Sequence, residues 1–171
     1  NIVLNEGFAN YSEYLWNEYK YGLDAAQILQ AGSRSGYYNT AAQSMRAIVD
    51  YQYDHREDMF DAQTYNKGGL VLHMLREYHG KDLFYRALNY YLHRNAFSAV
   101  EVADLRLAIE KVSGEDMNWF FDQWFFTPGH PILRISDSFD EEGMTVNINI
   151  KQEQSPVKSK AIFRMPTQVA V

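Results

Sequence analysis

At 171 residues, with 46% hydrophobic and 22% charged residues, the chain has the make-up of one globular domain or of one domain and part of a second, not of a disordered segment. A formal net charge of -6 with no run of lysine or arginine excludes the concentrated basic footprint that nucleic acid or an anionic membrane requires. The absence of cysteine excludes disulfides and thiolate metal sites, and no apolar stretch approaches the ~18 residues of a membrane span.

In chain order, Phe8, Tyr11, Leu15 and Tyr19 recur at helical spacing, which predicts a helix over 7–21 stopped by Gly22. Residues 24–50 read as helical but broken near Gly32–Gly36. Tyr51 to Thr64 is polar and aromatic without a period and reads as an ordered loop. The helical period returns from Tyr65 to Tyr78 and ends at Gly80. The next helix presents Leu83, Phe84, Ala87, Leu88, Tyr91 and Leu92 on one face. Ser98 and Glu101 have capping-box spacing and place a helix start there; that helix runs to about Ser113 with Val102, Leu105, Ile109 and Val112 inward. After Gly114 a last helix buries Met117, Phe120, Phe121, Trp124 and Phe125. Each helix carries an apolar stripe, so the set should pack as a bundle or solenoid.

The pattern changes at Pro128-Gly129-His130-Pro131. Leu133 and Ile135 alternate with polar residues. Beyond the Glu142-Gly143 turn, Met144, Val146, Ile148 and Ile150 alternate with Thr145, Asn147 and Asn149. Ala161 to Met165 forms a third alternating segment, which Val169 and Val171 extend. These read as half-buried antiparallel strands. The expected fold class is α+β, with a helical part over 1–131 and strands over 132–171.

Two segments carry candidate chemistry. Asn5-Glu6-Gly7-Phe8-Ala9 opens the first helix, where the macrodipole alone would favour a glutamate. Tyr65-Asn66-Lys67-Gly68-Gly69 places two glycines inside a good helical segment at a cost of roughly 1 kcal/mol each. They imply close approach by other backbone or by a ligand, with the Tyr65 hydroxyl free to point into a cleft.

Together the two segments resemble one family. Leu4-Asn5-Glu6-Gly7-Phe8-Ala9 with Tyr11-Ser12-Glu13 is similar to the segment that carries the third zinc ligand of gluzincin aminopeptidases, the aminopeptidase N and leukotriene hydrolase family. Tyr65-Asn66-Lys67-Gly68-Gly69, continuing to Arg76, resembles that family's Tyr-x-Lys-Gly segment. Ser113-Gly114-Glu115-Asp116 through Trp124 is similar to the end of its catalytic domain, and Gly129-His130-Pro131 to the start of its β-sandwich. The resemblance implies that 1–131 is the C-terminal helical portion of a thermolysin-like catalytic domain and 132–171 the beginning of an incomplete β-sandwich.

It further implies a zinc-dependent aminopeptidase acting on peptides, with Glu6 as a metal ligand and Tyr65 as the catalytic donor to the transition-state oxyanion. The family's H-E-x-x-H motif, which supplies two histidine ligands and the general base, is absent from this sequence and is expected upstream. His55, His73, His79, His93 and His130 lack a spacing that could replace it and read as surface or core residues. On this reading Zn2+ belongs to the parent enzyme. None is expected bound stoichiometrically at Glu6 in this chain, which is expected to be inactive alone and to self-associate through uncovered apolar faces. The alternative reading is a non-catalytic helical interaction or scaffold module related to the peptidases.

Overall fold

The computed structural model describes residues 2–43, 45–155, 159, 162–167 and 169. Six helices are followed by one small antiparallel sheet: α1 (Val3–Tyr21), α2 (Leu23–Ala41), α3 (Gly68–His79), α4 (Lys81–Arg94), α5 (Val102–Ser113), α6 (Asn118–Trp124), β1 (Leu133–Asp140) and β2 (Thr145–Gln152). The chain is thus α+β and mainly helical.

Gly22 alone joins α1 to α2, at a positive φ of 90° that glycine adopts without strain. The buried stripe of α1 is Val3, Leu4, Gly7, Tyr11 and Tyr14, whereas Tyr19 is exposed. The expected break in the second helix is absent. α2 runs unbroken through both of its glycines, and 45–50 lies outside it, tied to the body where the Val49 N–H donates to the Phe125 carbonyl at 2.9 Å. A chain of favourable neighbours carries a helix across isolated glycines at a cost of about 1 kcal/mol each.

In α4 the buried positions are Phe84, Ala87 and Tyr91; Leu92 lies outside the stripe and is exposed. α5 begins three residues later than its serine signal. The reciprocal cap is formed by Glu101 and Asp104, while the Ser98 hydroxyl donates to the Asn95 carbonyl at 2.7 Å. All five expected residues of the last helical segment, Met117, Phe120, Phe121, Trp124 and Phe125, are buried. Phe121 and Phe125 stack at 4.9 Å, a geometry worth roughly 0.5–1.5 kcal/mol beyond area burial.

Polar groups also bind the helices together. Arg76 of α3, fully buried, pairs with Glu18 of α1, and Lys81 of α4 donates to the same carboxylate at 2.6 Å. Burial alone would raise the Glu18 pKa, but the hydrogen bonds from Lys81 and Arg76 outweigh it and hold the carboxyl below its usual range.

β1 and β2 pair in the register Ile135↔Ile150, Asp137↔Ile148, Phe139↔Val146, which gathers the apolar residues on one face and Ser136, Ser138, Asn147 and Asn149 on the other. The strands are antiparallel as expected but exposed, not half-buried: no layer covers the apolar face among the described residues.

The third strand does not form over 162–167; Ala161 and Val171 lie outside the described residues. Phe163 instead buries its ring against Trp124 at 4.9 Å. Two glutamine amides hold this segment as a neighbouring strand would. Gln152 donates to the Phe163 carbonyl at 2.6 Å and accepts its N–H at 2.8 Å. Gln123 donates to the Arg164 carbonyl at 3.0 Å and accepts its N–H at 2.7 Å.

The backbones of α1 and of the start of α3 approach closely at a pair of glycines. A Cβ on Gly68 would lie 2.9 Å from Val3 Cγ2 and 3.2 Å from Gly7 Cα; one on Gly7 would lie 3.3 Å from the Gly68 carbonyl carbon. A Cβ on Gly32, in contrast, would meet nothing within 4 Å. Substitution to alanine should therefore have opposite signs at the two places. Gly68→Ala should lose about 1–3 kcal/mol by overpacking, and Gly32→Ala should gain up to about 1 kcal/mol by helix propensity. Urea denaturation of the two variants measures this, and a shared sign would refute the assignment of the close approach.

Candidate metal and catalytic site

The segment before α3 is wound more loosely than an α-helix. Over Gln63–Lys67 the backbone makes a π-turn: the Lys67 N–H donates to Ala62 at 2.9 Å and the Gly68 N–H to Gln63, five residues back in each case. Single π-turns of this kind recur at functional sites, where they re-aim a side chain. Here the side chain at the centre is Tyr65.

The turn is held from outside by Asp61 and Arg46. Asp61 Oδ1 accepts the N–H groups of Gln63 at 3.0 Å and Thr64 at 3.1 Å, satisfying donors that a helix start leaves open. Arg46 grips both carboxylate oxygens, Nη2 to Oδ1 at 2.6 Å and Nε to Oδ2 at 3.0 Å. The same guanidinium donates to Thr64 Oγ1 at 2.8 Å and to the carbonyls of Ala47 at 2.8 Å and Ile48 at 3.0 Å. A planar fork that meets a carboxylate bidentately and several fixed carbonyls leaves the turn little freedom. An Asp-x-x-Thr sequence ahead of the motif is a legible cap signal for Asp61. Arg46 has none, because most of its partners are backbone carbonyls.

Glu6 lies in the first turn of α1 and is half-buried. The Gly7–Gly68 approach sets this turn directly against the π-turn, so Glu6 and Tyr65, far apart in sequence, are neighbours. Partial desolvation raises the Tyr65 pKa, and hydrogen bonding and repulsion from the Glu6 carboxylate raise it further. The phenol therefore stays protonated at neutral pH and can donate a hydrogen bond without carrying charge.

The five histidines do not assemble a site. His73 Nδ1 shares a hydrogen bond of 3.2 Å with the Tyr11 hydroxyl and its ring lies edge-on to Tyr14; His130 Nδ1 shares one of 2.9 Å with Tyr37; His55 and His93 are exposed. Among the described residues no three His, Cys, Asp or Glu side chains gather where they could hold a metal ion. Glu6 offers one oxygen donor of a kind zinc accepts, but a catalytic zinc site uses three protein ligands. The residues described here do not by themselves fit zinc.

The clamp on the π-turn has a measurable consequence. Asp61→Ala removes two backbone caps and both acceptors of the Arg46 fork, and should cost about 2–3 kcal/mol. Amide hydrogen exchange should accelerate at Thr64, Tyr65 and Lys67 more than in α5. Uniform acceleration, or none, would remove the clamp from this account.

The Peptidase family M1 domain matches residues 1–124. Aminopeptidase M1-A of Oryza sativa subsp. japonica is 30% identical over 144 residues, covering 79% of this chain and 16% of that protein. Legionella pneumophila aminopeptidase A, solved in complex with aspartic acid, superposes with a TM-score of 0.75 at 24% identity, over 90% of this chain and 17% of that one, and so shows a shared fold. A variant M1 zinc metallopeptidase from Deinococcus radiodurans, solved with a Tyr-Ser-Ala substrate, superposes at 0.59 with 26% identity over 74% of this chain and 27% of that one. The chain thus spans about a sixth of the first of these relatives. With the family domain matched across α1 to α6, the chain belongs to peptidase family M1, the gluzincin zinc aminopeptidases.

Proposed function

We propose that this chain is part of a zinc-dependent aminopeptidase that releases N-terminal residues from peptides. In it, residues 1–131 form the C-terminal helical portion of the catalytic domain and 132–171 the start of a β-sandwich. The observation that carries the proposal is the meeting of Glu6 and Tyr65 across the Gly7–Gly68 approach. An acidic first turn has a local explanation in the helix dipole, and a tyrosine has one in packing. Neither explains why the two meet at a glycine contact with the tyrosine held in a clamped π-turn.

On this reading Glu6 is one zinc ligand, and the two histidine ligands and general-base glutamate come from residues preceding Asn1. Bound zinc supplies the Lewis acid of such a reaction. Tyr65 donates its hydroxyl hydrogen to the oxyanion that develops on the scissile carbonyl. Its raised pKa suits that work, since the donor remains protonated across the neutral range. Arg46 and Asp61 position it, because a donor about 1 Å out of place forfeits much of its effect.

Alone, the 171-residue chain should bind no stoichiometric zinc at Glu6 and should not hydrolyse an amino-acid anilide. Metal analysis and a chromogenic assay check both. In a longer protein that supplies the histidines, Glu6→Ala should weaken zinc binding. Tyr65→Phe should retain zinc and lower kcat by ~10²–10³ with KM little changed. Full kcat in the Tyr65→Phe protein would remove that residue's role, and unchanged zinc content in Glu6→Ala would remove the metal assignment.

A further inference from the structure

Between α2, α3 and the segment that follows α6 lies a cavity of about 360 Å³, large enough for a ring-sized molecule. Tyr37, Val71, Met74 and Trp124 supply its apolar wall. It is lined by the basic side chains Arg34 and Lys67 and the imidazoles of His73 and His130, with no aspartate or glutamate among the described lining residues. In a chain with 16 basic and 22 acidic residues, that segregation is distinctive.

Lys67 is the unusual member. It is 3% exposed, and its Nζ has no hydrogen-bond partner among the described residues. The ammonium lies over the ring of Tyr37, 5.9 Å from its centroid, and the Tyr37 hydroxyl is already engaged with His130 at 2.9 Å. A buried ammonium without an acceptor is costly, and an anion of the right reach offsets that cost. The four-carbon stem lets the ammonium turn toward such an anion without movement of the backbone.

We propose that this cavity binds a small free carboxylate carried on an apolar, ring-sized body, with the carboxylate paired to the Lys67 ammonium and the ring against Tyr37 and Trp124. The site is independent of the roles assigned to Glu6 and Tyr65 and does not require zinc. It also accounts for a lysine whose side chain has no hydrogen-bonded partner to justify its burial.

Burial, and secondarily the charge of Arg46, lowers the Lys67 pKa to about 8. The groups that face it do not compete in the range above neutrality. Burial lowers the pKa values of His73 and His130, and burial raises that of Tyr37, so all three are neutral there. Anion affinity should therefore be full well below about pH 8, half lost near it, and fall further above it as the ammonium loses its proton.

The test is an NMR titration of the 171-residue chain with phenylacetate and with its uncharged counterpart phenylethanol. Phenylacetate should bind saturably at neutral pH, perturb the resonances of Tyr37, Val71 and His130, and bind about tenfold or more tighter than the alcohol. Lys67→Met keeps the stem, removes the charge and should abolish that preference. Equal affinity for the two probes, no saturable binding of phenylacetate, or a preference that survives Lys67→Met would overturn the proposal. Should that variant fail to fold, the unmodified chain decides. A preference that fades between about pH 7 and about pH 10 supports the site, and a constant one overturns it.

Discussion

Everything near Glu6 and Tyr65 depends on how closely α1 can approach the start of α3. The limit is set by Gly7 and Gly68, where a single added methyl on either side would meet backbone or the Val3 side chain within about van der Waals distance or closer. Glycine inside a helix has a cost in conformational entropy, and here the return is geometric: two backbones meet where side chains would hold them apart. Once they meet, the first turn of one helix and the π-turn ahead of the other share a surface. The clamp of Arg46 and Asp61 on that turn and the cluster in which buried Arg76 meets Glu18 and the exposed Lys81 brace the same arrangement from its two ends.

The braces are polar where a simpler helical bundle would use only apolar contacts. Breaking a buried ion pair leaves an uncompensated charge, which costs more than the pair contributes when intact. Such groups therefore penalise alternative packings strongly. Apolar surfaces, by comparison, slide over one another with little penalty. For a turn that must hold one phenol at one place, this bias toward a single arrangement matters more than net stability.

Much of this was legible in the amino-acid order. The stripe of α6 and the alternation of β1 and β2 are strong because every second or every third and fourth residue is large and apolar, and the paired register follows from it. Gly68 and Gly69 signal a close approach: Gly68 meets Val3 and the backbone at Gly7, and Gly69 meets the Asn10 side chain. The π-turn was not legible, since one extra residue in a helical winding leaves no periodic trace. Arg46 was hidden for a related reason: carbonyl partners carry no sequence signature. The serine signal at 98 misplaced the start of α5 because its hydroxyl serves the end of the preceding helix instead. The third strand was mistaken because alternation reports burial on one side and is silent on whether the pairing groups are backbone or side chain. The nearness of Glu6 to Tyr65 followed only from reading the two segments jointly.

The paired glutamine amides that stand in for a third strand shape how the molecule is joined. Residues 163 and 164 are gripped by two amides, one rooted in the last turn of α6 and one at the final residue of β2. The ribbon and the helical body are thus coupled through side chains, without a continuous ladder of main-chain pairing. Each neutral bond of this sort contributes about 0.5–1.5 kcal/mol net, and side-chain amides rotate free one at a time, whereas a ladder opens cooperatively. The joint therefore works as a clasp: two glutamine amides fix the 163–164 segment against both the end of α6 and the end of β2.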